Sequence, residues 1–507
     1  MTVQELLSSF PFTKARVENP NEHVLGIAYD SRSVRQGYAF FALVGSCQDG
    51  HTFLGEAFSR GARLFVVEKE ESLFPFEHRV SWVVVPNTRR ALALASCAFF
   101  GHPSQHLYVV GVTGTNGKTT TCFLIHSIFE CAGHPCGLLT TARNIVGPFE
   151  WEPPNTTMES LLLVQALRRM RDLGLRHAVL EVSSHGLALG RVEGILFDAA
   201  VFTNIVPEHL EFHKTFEHYF ESKRKLATMV AENLVKAFPR ILVVNGEDEN
   251  VLAIARFSGL PFLSFGCTRG CDVQARAIRW SDTSSVFEVW TPWGAFEARL
   301  PLPGKHNVYN ALGAIALSLA AGVDREAVQA GLTCCRKVPG RWEVIRAPQG
   351  FLVVVDFAHN WHGLEHALSA AKALRPRRLI TVFGCGGERD RSKRPQMGRV
   401  VATLSDICIV TTDNPRGEDP LQTAEDAVLG IRDVALEKPV EWFVVLDRVE
   451  AIRLALSLAQ EGDIVFLAGK GPERFQVYAQ EVFPHNDYEV ALRMLFGGAD
   501  VVHTSRS

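Results

Sequence analysis

The run Val109-Val110-Gly111-Val112-Thr113-Gly114-Thr115-Asn116-Gly117-Lys118-Thr119-Thr120 leaves this chain little freedom. A β-branched stretch enters a glycine-flanked turn, and the turn opens into residues that start a helix. That order predicts a strand, a tight loop from 113 to 117 and a helix from 118, the opening unit of a parallel α/β sheet. Amide groups at such a helix start, with Gly114, Thr115, Asn116 and Gly117 in the loop and the Lys118 ammonium beside them, are suited to β- and γ-phosphate oxygens. The Thr119 hydroxyl is placed to ligate Mg²⁺, with Thr120 behind it. A strict phosphate-loop spacing asks for glycine at 112, where valine stands. The strand-loop-helix setting therefore carries the reading.

From 107 onward, short apolar strands alternate with helical stretches. One α/β unit takes strands at 107–112, 178–182, 199–202 and 241–244, and a second takes 352–355, 379–383, 407–410 and 464–467. Between them SVFEVWTPWGAFEARL alternates about Pro292 and Gly294 as a hairpin, and a helix from near Asn307 closes the first unit. Turn residues Val338-Pro339-Gly340 mark a boundary. The expected class is α/β with three domains. These are a small amino-terminal α/β domain (1–106), a central P-loop ATPase-like parallel-sheet domain (107–337) and a carboxy-terminal Rossmann-like domain (338–507). The 507 residues suit that number.

A net charge of −3 gives no general field for nucleic acid or anionic lipid, so small-molecule substrates are expected. No apolar run reaches the length of a membrane span. The start, MTVQELLSSFPF, lacks a basic segment followed by an apolar one, and eleven scattered cysteines show no metal-ligand spacing. A cytoplasmic monomer with reduced thiols and no membrane insertion is expected.

Polar clusters follow nearly every strand, where open parallel sheets hold ligands. Glu181 ends AVLEV and precedes Ser183-Ser184-His185, so it reads either as a Mg²⁺ ligand or as part of a loop cap. Glu208-His209-Leu210-Glu211-Phe212-His213 reads as a second metal site or a solvated face, and Lys223-Arg224-Lys225 alone is a basic run.

Taken in order, Asp30-Ser31-Arg32, TGTNGKTT, Asn155-Thr156-Thr157, EVSSHGL, TNIVPEHLEFH, GKHNVYNAL, GRWE, FGCGGERD, DNPRGEDP and AGKGPE resemble the motifs of the Mur ligases. The match is to the MurE type, which adds the third residue of the peptidoglycan peptide. The resemblance implies an ATP-dependent amide ligase that phosphorylates the free carboxylate of UDP-N-acetylmuramoyl-L-alanyl-D-glutamate. An amino acid amine then captures the acyl phosphate, releasing ADP and phosphate. It implies catalytic roles for Lys118, Glu181, His209 and Lys223, with Lys223 carbamylated by carbon dioxide and Thr119, Glu181, His209 and the carbamate as Mg²⁺ ligands. For a lysine to react it must be neutral, and burial is the expected cause. Asn310, Arg341, Asp356 and His359 are the further ATP contacts implied. Ser31, Ser46, Cys47 and Gln48 fall at the uridine end of the substrate; Asn155, Thr156, Thr157, Ser183 and Arg191 fall at its muramoyl dipeptide and phosphates.

For the acceptor, Arg389, Asp413, Asn414, Pro415, Arg416, Gly469 and Glu473 lie after neighbouring strands. Two guanidinium groups there could clamp a second carboxylate. By resemblance DNPR implies meso-diaminopimelate, with ornithine or lysine as alternatives. Competing structural readings pair Arg416 with Glu418 or Asp419, and Arg389 with Asp390. The sequence departs from the family's pattern at Glu208, at Leu189, at Asn360-Trp361-His362 and at Pro472, which replaces a histidine. A folylpolyglutamate synthase would share the ATP machinery but lack the DNPR loop. A nonenzymatic nucleotide switch would have no use for Lys118, Glu181, His209 and Lys223 together.

Overall fold

The computed structural model describes residues 1–45, 48–76, 78–153, 155–335, 337–479 and 481–497. Ser46 and Cys47 lie outside the described residues. Among those described, the chain forms sheets of five, eleven and six strands, with a short two-stranded ribbon near the carboxy terminus.

The eleven-stranded sheet has a parallel heart in the spatial order Phe262–Gly266, Ile241–Asn245, Ala199–Phe202, Tyr108–Thr113, His177–Glu181, Cys136–Leu139. Strand side chains alternate between two cores, as a period of two demands. Val110, Val112, Val179, Val201 and Val243 face one layer with helices Lys118–Cys131 and Lys305–Ala320. Val109, Ala178, Leu180, Ala200, Leu242 and Val244 face the other with helix Phe216–Glu232. Both faces are covered, which explains the nearly unbroken apolar runs. Gly111 matters here, because a Cβ would stand 2.9 Å from Leu226 and 3.0 Å from Phe197.

Strand Tyr108–Thr113 lies between the strands that follow it on either side, so its carboxyl end is a topological switch point. The phosphate-loop sequence occupies that crevice. The expected hairpin forms as Ser285–Thr291 and Gly294–Leu300, and extends one edge of this sheet through Val273–Trp280. The expected closing helix runs Lys305–Ala320.

The six-stranded sheet runs Glu343–Arg346, Leu352–Asp356, Ile464–Ala468, Leu379–Cys385, Ile407–Thr412, Glu441–Val444, antiparallel only at its first strand. The last in sequence of the predicted strands, Ile464–Ala468, inserts between the first two. Their tips therefore bring residues 356–362, 385–394, 413–416 and 469–473 together. The five-stranded sheet includes Tyr38–Phe41 and Leu64–Val67, paired in parallel. No helix among the described residues is long and apolar enough to cross a membrane.

Candidate active site

Strand tips of the two large sheets face one cleft of about 1350 Å³, with Val44, Gly45 and Arg89 of the amino-terminal unit at its rim. The phosphate loop forms the floor of one end. Gly114 has φ +147°, and a Cβ there would come within 1.9 Å of Thr203 Oγ1; Gly117 has φ +87°, and a Cβ on it would stand 2.2 Å from Asn310 Oδ1. Only glycine satisfies both the backbone and the space. Asn116 is pinned from below: its amide donates to Asn204 Oδ1 (3.0 Å), and its carbonyl accepts from Thr203 Oγ1 (2.6 Å) and Asn204 Nδ2 (3.0 Å). Thr115 Oγ1 meets Tyr219 Oη at 2.7 Å. No side chain caps helix Lys118–Cys131, whose first amides are left for an anion from the cleft.

Lys118 folds onto its own loop, donating to the carbonyls of Thr115 (2.8 Å) and Gly114 (3.1 Å). Burial lowers its pKa, while Glu181 works in the opposite sense. Thr119 Oγ1 donates to Glu181 Oε2 at 3.0 Å and accepts from Arg341 Nη2 at 3.1 Å. Thr120 is buried at the same wall. Arg341 reaches this point from beyond the central sheet and stacks over Phe357 at 4.5 Å. Asp356 is tied to the amides of Trp342 and Ala358, each at 2.9 Å; burial raises its pKa and Arg341 opposes the rise. His359 lines the cleft, hydrogen-bonded to the Phe357 carbonyl, with burial carrying its pKa down to about 4. The atypical loop has a role: Asn360 caps the next helix and, with His362, contacts the Asn116 side chain at 3.4 and 3.2 Å.

Lys223 sits just behind the cleft. Its Nζ donates to the Gly114 carbonyl at 2.7 Å and lies over the Tyr219 ring. Burial first, and Lys118 second, drive its pKa well below the ordinary lysine value. The cation that helps is thus Lys118, and not the adjacent Arg224 or Lys225. His209 takes a left-handed backbone (φ +58°), edge-on to His185, and its Nδ1 faces Glu211 Oε1 at 3.6 Å. Among the described residues no three His, Cys, Asp or Glu side chains converge as a metal cage.

At the other end, Thr157 Oγ1 donates to the Glu181 carbonyl and meets Ser183 Oγ, both at 3.0 Å, and Thr156 meets Thr141 at 2.6 Å. Asn155 lines the same wall. Arg191 donates to the Thr157 carbonyl and shares Glu159 with Arg89. Ser31 does not face the cleft: it is buried, with its hydroxyl on Glu56 Oε2 at 2.7 Å. Gln48 is exposed, its carbonyl accepting from the Gly45 amide.

On the six-stranded sheet, Arg389 and Arg416 flank Gly386, where a Cβ would lie 3.6 Å from Arg389 Cγ and 3.5 Å from Arg416 Nη1. Neither competing ion pair forms among the described residues. Arg389 meets Glu211 at 3.3 Å, Arg416 donates to the Gly387 carbonyl at 2.6 Å, and Glu418 is taken by Arg391 and Arg394. Arg416 has φ +52°, a sparsely populated conformation that points to function. Asp413, Asn414, Gly469 and Glu473 line the same pocket, whereas Pro415 presses its carbonyl toward Gly387 behind it.

Three family models match in chain order: "Mur ligase family, catalytic domain" over 23–110, "Mur ligase middle domain" over 112–318 and "Mur ligase, glutamate ligase domain" over 340–471. The UDP-N-acetylmuramoyl-L-alanyl-D-glutamate--2,6-diaminopimelate ligase of Solibacter usitatus is 41% identical over 498 residues, covering 98% of this chain and 99% of its own. The chain belongs to the Mur ligase family. The equally named ligase of Geobacillus kaustophilus is 39% identical, over 97% of this chain and 98% of its own. A solved UDP-N-acetylmuramoyl-L-alanyl-D-glutamate--2,6-diaminopimelate ligase superposes with a TM-score of 0.65 at 30% identity, covering 98% of both chains. MurF of Acinetobacter baumannii shares the fold, with a TM-score of 0.68 over 92% of this chain and 95% of its own at 23% identity.

This Mur ligase carries cleft residues that reading the sequence missed. Lys393 crosses to Glu208 at 2.5 Å, and Arg89 enters from the amino-terminal unit. Lys393 belongs to the run after GGERD, where a lysine following the Arg389 turn was a usable signal. Arg89, at the start of a helix far from any phosphate motif, gave none.

Proposed function

We propose that this ligase adds meso-diaminopimelate to UDP-N-acetylmuramoyl-L-alanyl-D-glutamate in the cytoplasm, at the expense of ATP. The observation that carries the reading is a single cleft with a phosphate loop on one wall and a paired-arginine pocket on the other. Arg341 and Lys393 bridge the two walls. In this reading residues 1–106 hold the uridine end, 107–337 hold ATP and 338–507 hold the acceptor.

A carboxylate resists attack by an amine until one oxygen becomes a phosphate leaving group. The γ-phosphoryl group is therefore transferred first to the free carboxylate, with Lys118 and the helix amides drawing charge from the transferring group. The acceptor amine then forms the C–N bond, the C–O bond to phosphate breaks, and the amine proton passes to solvent or phosphate. Arg341, already on Thr119, brings positive charge to the same point. Ser183, Thr156, Thr157 and Arg191 would hold the UDP-substrate beside it.

Thr119 and Glu181, both buried and facing the cleft, suit a hard cation, and His209 lies at the same cleft with an imidazole nitrogen. Bound Mg²⁺ would supply charge neutralisation between triphosphate and carboxylate. Lys223, whose pKa burial lowers well below the ordinary lysine value, is suited to take up carbon dioxide in its neutral form, gaining an anionic carbamate and releasing a proton.

The test is to supply ATP, Mg²⁺ and the UDP-dipeptide without acceptor, then reduce with borohydride. Recovery of a reduced glutamyl residue supports the acyl phosphate; its absence from a preparation that turns over fully once acceptor is added rejects it.

A further inference from the structure

Beneath the paired arginines lies a lysine that the roles above leave unused. Lys470 is fully buried, and its ammonium donates to Asn414 Oδ1 (3.0 Å), Glu473 Oε2 (2.6 Å) and the Phe475 carbonyl (2.6 Å). Asp413 Oδ1 stands 3.6 Å away and is buried without a hydrogen-bond partner. Asn414 donates in turn to Glu473 Oε2 at 3.0 Å. One buried cation thus ties together residues from two strand tips.

We propose that Lys470 is a positioning residue that sets acceptor selectivity, by holding Asp413 and Glu473 at a single net negative charge. This rests on the acceptor site proposed above. Two carboxylates around one ammonium leave charge for one cationic group of a ligand, while Arg389 and Arg416 next to them take an anionic one. The pocket so balanced fits a distal amino acid head carrying both charges, as in diaminopimelate, better than a bare ammonium, as in lysine. Removing the Lys470 charge makes the pocket more negative, which repels a distal carboxylate and favours a lone cation.

A neutral strut supplies the control. Gln476 Nε2 donates to the carbonyls of Thr412 (3.2 Å) and Asp413 (2.9 Å), bracing the same loop without charge.

The experiment measures kcat/KM for diaminopimelate and for lysine, with KM for ATP and the melting temperature alongside, in the unaltered enzyme and in Lys470→Met, Gln476→Met and Glu473→Gln. Lys470→Met should lower the diaminopimelate-to-lysine ratio by roughly tenfold or more, with KM for ATP unchanged. Gln476→Met should lower both efficiencies together. Glu473→Gln should raise the ratio, because it cancels the net negative charge that is all a lysine side chain can use there, while diaminopimelate keeps Arg389 and Arg416 for its distal carboxylate; this holds even if Lys470→Met does not fold. An unchanged ratio in Lys470→Met, an equal shift in Gln476→Met, or a fall in Glu473→Gln would each overturn the proposal. An unaltered enzyme with full turnover but no preference overturns it as well, whereas one with no acceptor-dependent turnover sinks the functional reading itself.

Discussion

The two walls of the cleft are built differently. The phosphate-loop wall is one continuous segment, 113–120, whose Gly114 and Gly117 stand where a Cβ would come within 2.5 Å of a neighbouring side chain and whose backbone at Asn116 is held by the side chains of Thr203 and Asn204. The acceptor wall is assembled from three separate segments, at 386–394, 413–416 and 469–473, the last two joined by Lys470 and the second stitched to the ribbon Phe475–Tyr478 by Arg416. A contiguous wall keeps its shape through local sterics. A gathered wall keeps its shape through charge, and so its selectivity can be retuned without loss of the fold.

If that contrast holds, damage to the first wall should abolish chemistry, and damage to the second should change which acceptor is used. The largest effect is expected from Lys118→Ala, with phosphate release falling by about a thousandfold or more, as for loss of a preorganised charge partner. Near-normal release would break the assignment of the nucleotide wall. Lys223→Ala should be comparably inactive but regain part of its activity with a short carboxylic acid in the buffer, since an external carboxylate replaces the carbamate oxygens. Failure of every such acid would remove the carbamate from the account.

A smaller and more selective effect is expected from Arg416→Ala: KM for the acceptor rises roughly a hundredfold, while KM for ATP stays within experimental scatter. Equal losses in both would mean that the left-handed turn at Arg416 braces both walls, erasing the comparison.

The smallest effect is on stability. Burial carries His306 down to about 3 and His177 down to about 4. Unfolded, both bind protons near the ordinary histidine value of about 6.5. Between that value and about 4 the unfolded chain therefore holds more protons, so stability is full above it and declines as pH falls through this window. Melting temperatures measured from pH 7 to pH 4.5 should fall steadily, and His177→Gln should flatten the decline.

The same contrast explains what could be read from the sequence. The parallel strands were legible because burial on both faces writes long β-branched runs, and the phosphate loop because its parts are adjacent. Sequence spacing could not reveal that Ile464–Ala468 inserts between two earlier strands, so the neighbourhood of Lys470 was hidden. Ser31 illustrates the converse: its motif is recognisable, yet Glu56, 25 residues on, captures the hydroxyl. The loop 360–362 looked like a loss of pattern, but its polar groups hold Asn116 across the cleft.

The most direct test is phosphate release by the purified protein with ATP, Mg²⁺ and UDP-N-acetylmuramoyl-L-alanyl-D-glutamate, with meso-diaminopimelate, lysine and ornithine compared as acceptors. Release that depends strongly on diaminopimelate is the predicted result. Release that is greatest with lysine or ornithine would contradict the acceptor assignment, and release with none of the three would contradict the function as a whole.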